Sequence, residues 1–176
     1  MSRLESGLER LRLWDQALCI RFNCAVRAAP VCRAFRSISR LGDGIFWYSL
    51  MIALIAVDGA RAFVPVARMA ATGLVCTLLY KWLKSKTSRP RPFAVENAVR
   101  AGADPLDPFS FPSGHTLHAV AFSVVAIAFY PVLAWLLIPF TLLVAVSRVV
   151  LGLHYPSDVL AGAALGALIS AASLNL

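Results

Sequence analysis

The stretch Thr116–Val150, TLHAVAFSVVAIAFYPVLAWLLIPFTLLVAVSRVV, decides the class of fold. It is apolar almost throughout. As one α-helix, rising about 1.5 Å per residue, it would be much longer than the roughly 30 Å hydrocarbon core of a bilayer. Pro131 lies near the middle, where a proline would interrupt the helix. The stretch therefore predicts two membrane-spanning helices that fold back on each other near Pro131.

Three more apolar segments flank this stretch. They are Ile45–Val57, Ala62–Leu83 and Val159–Leu174. Together with the two halves of the long stretch they predict an all-α integral membrane bundle of about five spanning helices, several of them short. In the last segment Gly162 and Gly166 form a G-x-x-x-G pattern, a spacing that lets helix backbones approach closely in lipid.

The overall composition agrees with a membrane protein. The 176 residues are 59% hydrophobic and 15% charged, which excludes disorder and is unlike an ordinary soluble globule. The formal net charge of +8 favours anionic lipid or phosphate partners. A nucleic-acid-binding protein would also be basic but would not carry so much aliphatic surface. The four cysteines lack paired C-x-x-C spacing and are interpreted as free thiols rather than as a disulfide framework or zinc site.

Residues 1–43 are too charged to span a membrane. Leucines recur there at helical spacing beside Trp14, and Pro30 predicts a break between two helical pieces. We interpret 1–43 as an amphipathic segment on the membrane surface, followed by a membrane domain over 44–176. A solvated helical pair packed on the other helices is an equally good interpretation. The segment contains eight arginines: Arg3, Arg10, Arg12, Arg21, Arg27, Arg33, Arg36 and Arg40.

Three polar segments lie at the ends of the apolar ones. They are Lys84–Pro92, Phe111–His115 and Ser147–Asp158. Counting membrane crossings from the N-terminus puts all three on the same face. Ionisable residues beside a bilayer are costly, so their presence there indicates a functional site.

This face carries the groups that bind a phosphoryl anion. Lys84, Arg91 and Arg148 are cations without a matching acid nearby in the sequence. Arginine offers paired donors and lysine a compact charge, a combination suited to phosphate oxygens. Ser113 and Gly114 open a helix, where free backbone N–H groups and the helix dipole also favour an anion.

Two histidines and an acid predict chemistry on the bound phosphoryl group. Asp158 follows His154 by four residues and can accept from one ring nitrogen, which leaves the other nitrogen as a nucleophile. His115 has no acid near it in the sequence and is expected to stay protonated and donate to a leaving oxygen. His118, one turn further along, is either structural or a contact to substrate or to a relayed proton.

These residues match the three-part signature K-x6-R-P, P-S-G-H and S-R-x5-H-x3-D. Lys84 to Pro92 carries the first part, Pro112 to His115 the second, and Ser147 to Asp158 the third. Over about residues 40–176 the chain therefore resembles the type 2 phosphatidic acid phosphatases (PAP2), whose signature is shared with vanadium haloperoxidases.

The resemblance implies a lipid phosphatase that needs neither metal nor cofactor. In it, His154 forms a phosphohistidine, Asp158 orients His154, and His115 protonates the leaving group. Implied ligands of the phosphoryl oxygens are Lys84, Arg91, Ser113, Gly114 and Arg148. The implied substrates are lipid phosphates or diphosphates, such as undecaprenyl diphosphate, phosphatidylglycerophosphate, phosphatidic acid or phosphorylated lipid A.

Other functions and the orientation in the membrane stay open. The same site would suit a lipid phosphotransferase, or a non-catalytic membrane module that binds phospholipid head groups. The implied location is a bacterial-type inner membrane, crossed several times. The excess of Lys and Arg on the predicted active face favours the cytoplasm for that face, whereas the resemblance to bacterial family members favours the outside.

Overall fold

The computed structural model describes residues 3–175, and these residues are mostly α-helical. Within this range the only β pairing is a single bridge between Pro90 and Phe109. The α-helices are α1 (Arg3–Asn23), α2 (Ala29–Arg40), α3 (Phe46–Asp58), α4 (Phe63–Thr87), α5 (Pro92–Val95), α6 (Gly114–Phe129), α7 (Ala134–Val150) and α8 (Pro156–Leu174).

Five of these helices correspond to the five predicted apolar segments: α3, α4, α6, α7 and α8. The predicted reversal at Pro131 is confirmed, because a short 3₁₀ turn over Pro131–Leu133 separates α6 from α7. By length and composition, three helical stretches of the described chain can cross a membrane: Ala29–Thr87, Pro131–Val150 and Pro156–Leu174. Gly114–Phe129 is apolar but shorter. The fold is an all-α integral membrane bundle, and the count of five crossings remains a prediction.

The long stretch Ala29–Thr87 is not one straight helix. A π-helical turn over Leu41–Ile45 contains Gly44 at φ 133°, and a 3₁₀ turn after α3 begins at Gly59, where φ is 58°. Both values lie in the left-handed region, which glycine adopts without steric cost. The two glycines therefore separate α2, α3 and α4.

The centre of the bundle is α6, which packs against α4, α7 and α8. Its contact with α8 is unusually close, as the G-x-x-x-G pattern predicts. A Cβ atom on Gly162 would lie 2.6 Å from the carbonyl oxygen of Ser113, and one on Gly166 would lie 2.5 Å from that of Leu117. This approach brings the beginnings of α6 and α8 together.

The two N-terminal pieces lie against the site-bearing end of the bundle. A 3₁₀ turn over Cys24–Arg27 separates them, and Pro30 lies in the first turn of α2, as predicted. Leu13 and Trp14 of α1 are exposed, whereas the buried side of this helix includes Asp15 and Asn23. The side chain of Asn23 donates to the carbonyl oxygens of Arg100 and Val150, each at 2.9 Å. Helix α1 thus docks through polar groups onto the loop between α5 and α6 and onto the end of α7.

Candidate active site

A cavity of about 460 Å³ lies between α3, α4, α6 and α7. Six of the eight predicted site residues line it: Lys84, Arg91, Gly114, His115, Arg148 and His154. The other two, Ser113 and Asp158, are fully buried and do not line the cavity. The structure therefore brings the three predicted segments together around one space.

The ends of four helices and two loops supply these side chains. Lys84 is in the last turn of α4 and Arg148 in the last turn of α7, while His115 is in the first turn of α6. The backbone N–H of Ser113 donates to the carbonyl oxygen of Asp158 at 3.0 Å, which ties the start of α6 to the start of α8. The cations and the helix N-terminus consequently face the same cavity.

His154 is 1% exposed and lies in the loop between α7 and α8. Its Nε2 atom is 3.3 Å from an Nη atom of Arg91. Burial lowers the pKa of His154 well below its usual value, and the positive charges of Arg148, Arg91 and Lys84 lower it further. The imidazole is thus held neutral, which is the state that can act as a nucleophile.

Asp158 lies behind His154, at the third position of α8. Its Oδ2 atom is 3.8 Å from Nδ1 of His154, longer than a hydrogen bond, and Nδ1 has no other hydrogen-bond partner among the described residues. Oδ2 instead accepts from the backbone N–H of Tyr155 at 2.8 Å, and Oδ1 accepts from Arg89 at 2.6 Å. Helix α8 begins at Pro156, so Asp158 lies in its first turn and points back toward the imidazole.

His115 has an acidic partner that sequence reasoning missed. The π-helical turn between α2 and α3 brings Oδ1 of Asp43 against Nε2 of His115. Asp43 is distant in the sequence, and the available signal was an acid between two glycines, Gly42 and Gly44, at the start of an apolar segment. Burial and the charge of Arg148 oppose a positive charge on His115, and the carboxylate of Asp43 is the group that favours a proton on this nitrogen.

Two of the three cations, Lys84 and Arg91, pair through the fold with an acid that is distant from them in the sequence, Asp107. Both carboxylate oxygens of Asp107 accept from Nζ of Lys84, at 2.8 and 2.7 Å. Oδ1 of Asp107 also accepts from Arg91 at 3.0 Å, and its backbone carbonyl accepts from Nε of Arg91 at 2.8 Å. Burial opposes ionisation of Asp107, but the hydrogen bond from Lys84 and the charges of Lys84 and Arg91 outweigh it and lower the pKa of Asp107 below its usual value.

Arg148 retains free donors at the cavity. Its side chain is 3% exposed, and one Nη atom donates to Oγ of Ser39. Its Nε atom is buried and has no hydrogen-bond partner among residues 3–175. A guanidinium that lines the cavity and has an unsatisfied buried N–H suits an anionic ligand, because each unpaired buried donor costs about 1–3 kcal/mol.

Ser113 caps α6 rather than facing the cavity. Its Oγ is 3.0 Å from the hydroxyl of Thr116 and receives the backbone N–H of Thr116 at 3.5 Å. Gly114 follows on the cavity wall. The part of the predicted anion site that is open to the cavity is therefore the helix N-terminus at Gly114, with the Ser113 side chain supporting it.

His118 lies on the cavity wall one turn beyond His115, with both ring nitrogens engaged. Nδ1 is 2.9 Å from the carbonyl oxygen of Gly114, and Nε2 is 3.1 Å from the hydroxyl of Thr77 on α4. The ring thus joins α4 to α6. These contacts favour a structural role for His118 over a role in relaying a proton.

No group of three or more His, Cys, Asp and Glu side chains is placed to hold a metal ion within the described part of the chain. The charged side chains that line the cavity are Lys84, Arg91 and Arg148, with Asp43 and Asp107 of opposite sign.

Known proteins resemble this chain in sequence and in structure. It is 33% identical over 146 residues to phosphatidylglycerophosphatase B of Bacillus subtilis, covering 69% of this chain and 64% of the relative. It is 37% identical over 140 residues to an undecaprenyl-diphosphatase of Sulfolobus acidocaldarius, covering 79% and 67%. The chain thus spans about two thirds or less of the length of the curated relatives it matches.

A solved structure has the same architecture. The crystal structure of a transmembrane PAP2 type phosphatidylglycerolphosphate phosphatase from Bacillus subtilis superposes with a TM-score of 0.77 and 25% identity, covering 94% of this chain and 85% of that one. A sequence model of the PAP2 superfamily matches residues 62–176, which contain all three signature segments. The chain belongs to the PAP2 superfamily.

Proposed function

We propose that this protein is a membrane lipid phosphatase that hydrolyses a lipid phosphate or diphosphate through a phosphohistidine intermediate. The observation that carries the proposal is the buried imidazole of His154, which faces a cavity shared with Arg91, Arg148 and His115. A site that only binds phospholipid head groups needs the cations but neither imidazole. The names of the relatives, a phosphatidylglycerophosphatase and an undecaprenyl-diphosphatase, support the same reaction class.

In the first step Nε2 of His154 attacks phosphorus, and the bond from phosphorus to the leaving oxygen breaks. The proton on Nε2 of His115, which faces Asp43 in the resting site, passes to that oxygen as its contact with Asp43 breaks. The carboxylate of Asp158, 3.8 Å from Nδ1 of His154, favours the proton on that nitrogen through its charge, so that Nε2 carries the lone pair. Arg148, Arg91, Lys84 and the backbone at Gly114 hold the phosphoryl oxygens, because phosphoryl transfer depends mainly on positioning and charge stabilisation.

In the second step water replaces the histidine. His115, now neutral, takes a proton from the water as the oxygen attacks phosphorus, and the bond from phosphorus to Nε2 breaks. Inorganic phosphate leaves, and both imidazoles return to their starting states. No metal is needed for either step, so activity should persist in EDTA.

The cavity also supports a lipid rather than a soluble substrate. Beyond the charged groups its wall is apolar, with Met51, Leu74 and Phe122 among the lining residues. An acyl or prenyl chain would lie along this wall while the head group reaches the cations. The partners we propose are thus a lipid phosphate and the bilayer itself, with no nucleic acid.

We assign residues 1–43 to a segment at the membrane surface and 44–176 to the catalytic membrane domain. The exposed apolar side chains of α1, among them Leu13 and Trp14, support contact with the bilayer interface. The location we propose is the bacterial-type inner membrane. Labelling of a single cysteine at position 85, in a variant with the four native cysteines replaced, would report in intact cells which side the site faces.

The direct test is phosphate release by the purified protein in detergent from four substrates: undecaprenyl diphosphate, phosphatidylglycerophosphate, phosphatidic acid and phosphorylated lipid A. We expect release from at least one substrate, insensitivity to EDTA and inhibition by orthovanadate. Absence of release from all four, or transfer of the phosphoryl group to a second lipid without free phosphate, would contradict the proposal.

A further inference from the structure

Helix α1 buries a carboxylate where a surface helix would place a solvated or apolar residue. Asp15 is 1% exposed, while its neighbour Trp14 is 45% exposed. Oδ1 of Asp15 accepts from the backbone N–H of Ser157 at 2.9 Å, and Oδ2 accepts from the Ser157 hydroxyl. Oδ2 also accepts from an Nη atom of Arg89 at 2.8 Å. A buried carboxylate is costly unless it is paired, so these three contacts fix its position.

The guanidinium of Arg89 continues this contact to the centre of the site. Its other Nη atom donates to Oδ1 of Asp158 at 2.6 Å and to Oγ of Ser157 at 2.8 Å. The guanidinium carbon lies 4.2 Å from the ring centroid of Tyr155, in a cation–π contact. The pKa of Arg89 is raised above its usual value: burial opposes the charge, but Asp158 and Asp15 outweigh it. Arg89 is thus a permanent cation between two carboxylates.

Arg89 and the backbone N–H of Tyr155 bind the two carboxylate oxygens of Asp158. Oδ1 is occupied by Arg89, and Oδ2 accepts from Tyr155 while lying 3.8 Å from Nδ1 of His154. Asp158 is fully buried, so without a cation its ionised form would be strongly disfavoured. Arg89 itself is 28% exposed and has a long flexible side chain. Asp15 binds one Nη atom of Arg89, while Asp158 and Ser157 bind the other.

We propose that Asp15, acting through Arg89, is a positioning residue for the Asp158–His154 pair, so that α1 is part of the catalytic machinery. This inference rests on the roles given to His154 and Asp158 in the proposed function. Asp15 touches neither His154 nor the cavity wall, and it acts by fixing the direction and charge of the acid that orients the nucleophile.

The test compares Asp15→Asn with Gln16→Ala. Gln16 is the next residue of α1, and its amide donates to Oε1 of Glu96 at 2.6 Å, outside the chain of contacts to Asp158. Both variants are assayed on the lipid phosphate of the panel that the unsubstituted protein hydrolyses fastest, with orthovanadate as the binding probe. We expect kcat of Asp15→Asn to fall about 10-fold to 100-fold, as small misplacements of catalytic groups do, with KM and orthovanadate Ki within about 3-fold.

Gln16→Ala is expected to stay within about 2-fold of the unsubstituted protein in all three constants, and Asp15→Glu to recover part of kcat. Three outcomes would each overturn the inference. They are an unchanged kcat in Asp15→Asn, an equal loss in Gln16→Ala, and a parallel loss of orthovanadate binding.

A spectroscopic measurement separates this inference from the proposed function. In protein labelled with ¹⁵N-histidine, we expect His154 to be the Nδ1–H tautomer and Asp15→Asn to become a mixture of tautomers. If the unsubstituted protein hydrolyses none of the four substrates, the proposed function is wrong. If the tautomer of His154 is unchanged in Asp15→Asn, the positioning role of Asp15 is wrong, whatever the activity.

Arg89→Lys provides the second variant if Asp15→Asn does not fold. A lysine keeps the charge but cannot bridge both carboxylates with a rigid fork. We expect Arg89→Lys to show the same loss of kcat and the same mixture of His154 tautomers. If Arg89→Lys leaves both kcat and the His154 tautomer unchanged, the inference is wrong.

Discussion

Asp107 forms an ion pair with Lys84, and its two carboxylate oxygens lie 2.8 and 2.7 Å from Nζ. The third bond of the ammonium goes to the carbonyl oxygen of Phe109 at 3.1 Å. An ammonium has three donors, so the protein itself engages all of them. A phosphoryl group can therefore accept a hydrogen bond from Lys84 only if Lys84 gives up one of its hydrogen bonds to the carboxylate of Asp107.

We accordingly expect Asp107→Asn to bind orthovanadate more tightly. The substitution removes one negative charge from a site with three cations, and charges a few ångströms apart near a protein surface interact by a few kcal/mol. The expected change is a decrease in Ki of about 10-fold, measured by inhibition of phosphate release. Asp104→Asn, on an exposed position of the same loop, is the control and should leave Ki unchanged. A weaker inhibition of Asp107→Asn would show instead that Asp107 holds the cations in place.

Local patterns predicted much of this site, including Asp158, but not the acids Asp43 and Asp107. The apolar segments and the break at Pro131 follow from periodicity and length, and short-range spacing places Asp158 one turn after His154. Asp43 and Asp107 meet His115 and Lys84 only through the tertiary fold. One lies in a π-helical turn, and the other lies in the loop between α5 and α6, where no periodic pattern fixes the path of the chain. The polar docking of α1 was missed for the same reason.

His154 should remain unprotonated at pH values where an ordinary histidine is charged. Burial and the charges of Arg148 and Arg91 lower its pKa well below the usual value of about 6.5. Because the unfolded chain would bind this proton first, His154 makes the folded protein less stable as the pH falls below about 6.5. The test is a ¹⁵N-histidine NMR titration, with the signal assigned by its loss in His154→Asn. A midpoint at or above 6.5 would contradict the buried, cation-flanked environment.

Replacement of His154 should abolish turnover without abolishing binding. We expect His154→Asn to lower phosphate release by about 10³-fold or more, because the variant lacks the attacking nitrogen. The cations remain, so an equilibrium measurement of phosphate or orthovanadate binding should still detect the anion site. Transfer of ³²P from a labelled substrate should label the unsubstituted protein but not the variant. Turnover of His154→Asn near the normal rate would rule out the nucleophile assignment.

The contact between α6 and α8 should be intolerant of any side chain at Gly162. A Cβ there would lie 2.6 Å from the carbonyl oxygen of Ser113, and backbone cannot move aside as a flexible side chain can. Overpacking of this kind costs about 1–3 kcal/mol, which corresponds to a loss of about 2–10 °C in Tm. Gly162→Ala should show this loss in detergent. Gly7→Ala, where nothing lies within 4 Å of the added Cβ, is the matched control and should melt as the unsubstituted protein does.

The contact between Asp43 and His115 predicts a dependence on the leaving group. If Asp43 holds the proton that His115 donates, its loss should matter most when the leaving oxygen is a poor leaving group. We expect Asp43→Asn to slow the release of phosphate from an alkyl phosphate lipid by about 10-fold to 100-fold, and from an aryl phosphate, whose phenolate leaves without a proton, by less than about 3-fold. Asp58→Asn is the control, since Asp58 accepts from Tyr130 at the far end of α3. If Asp43→Asn slows phosphate release from both substrates equally, Asp43 maintains the shape of the cavity rather than the proton on His115.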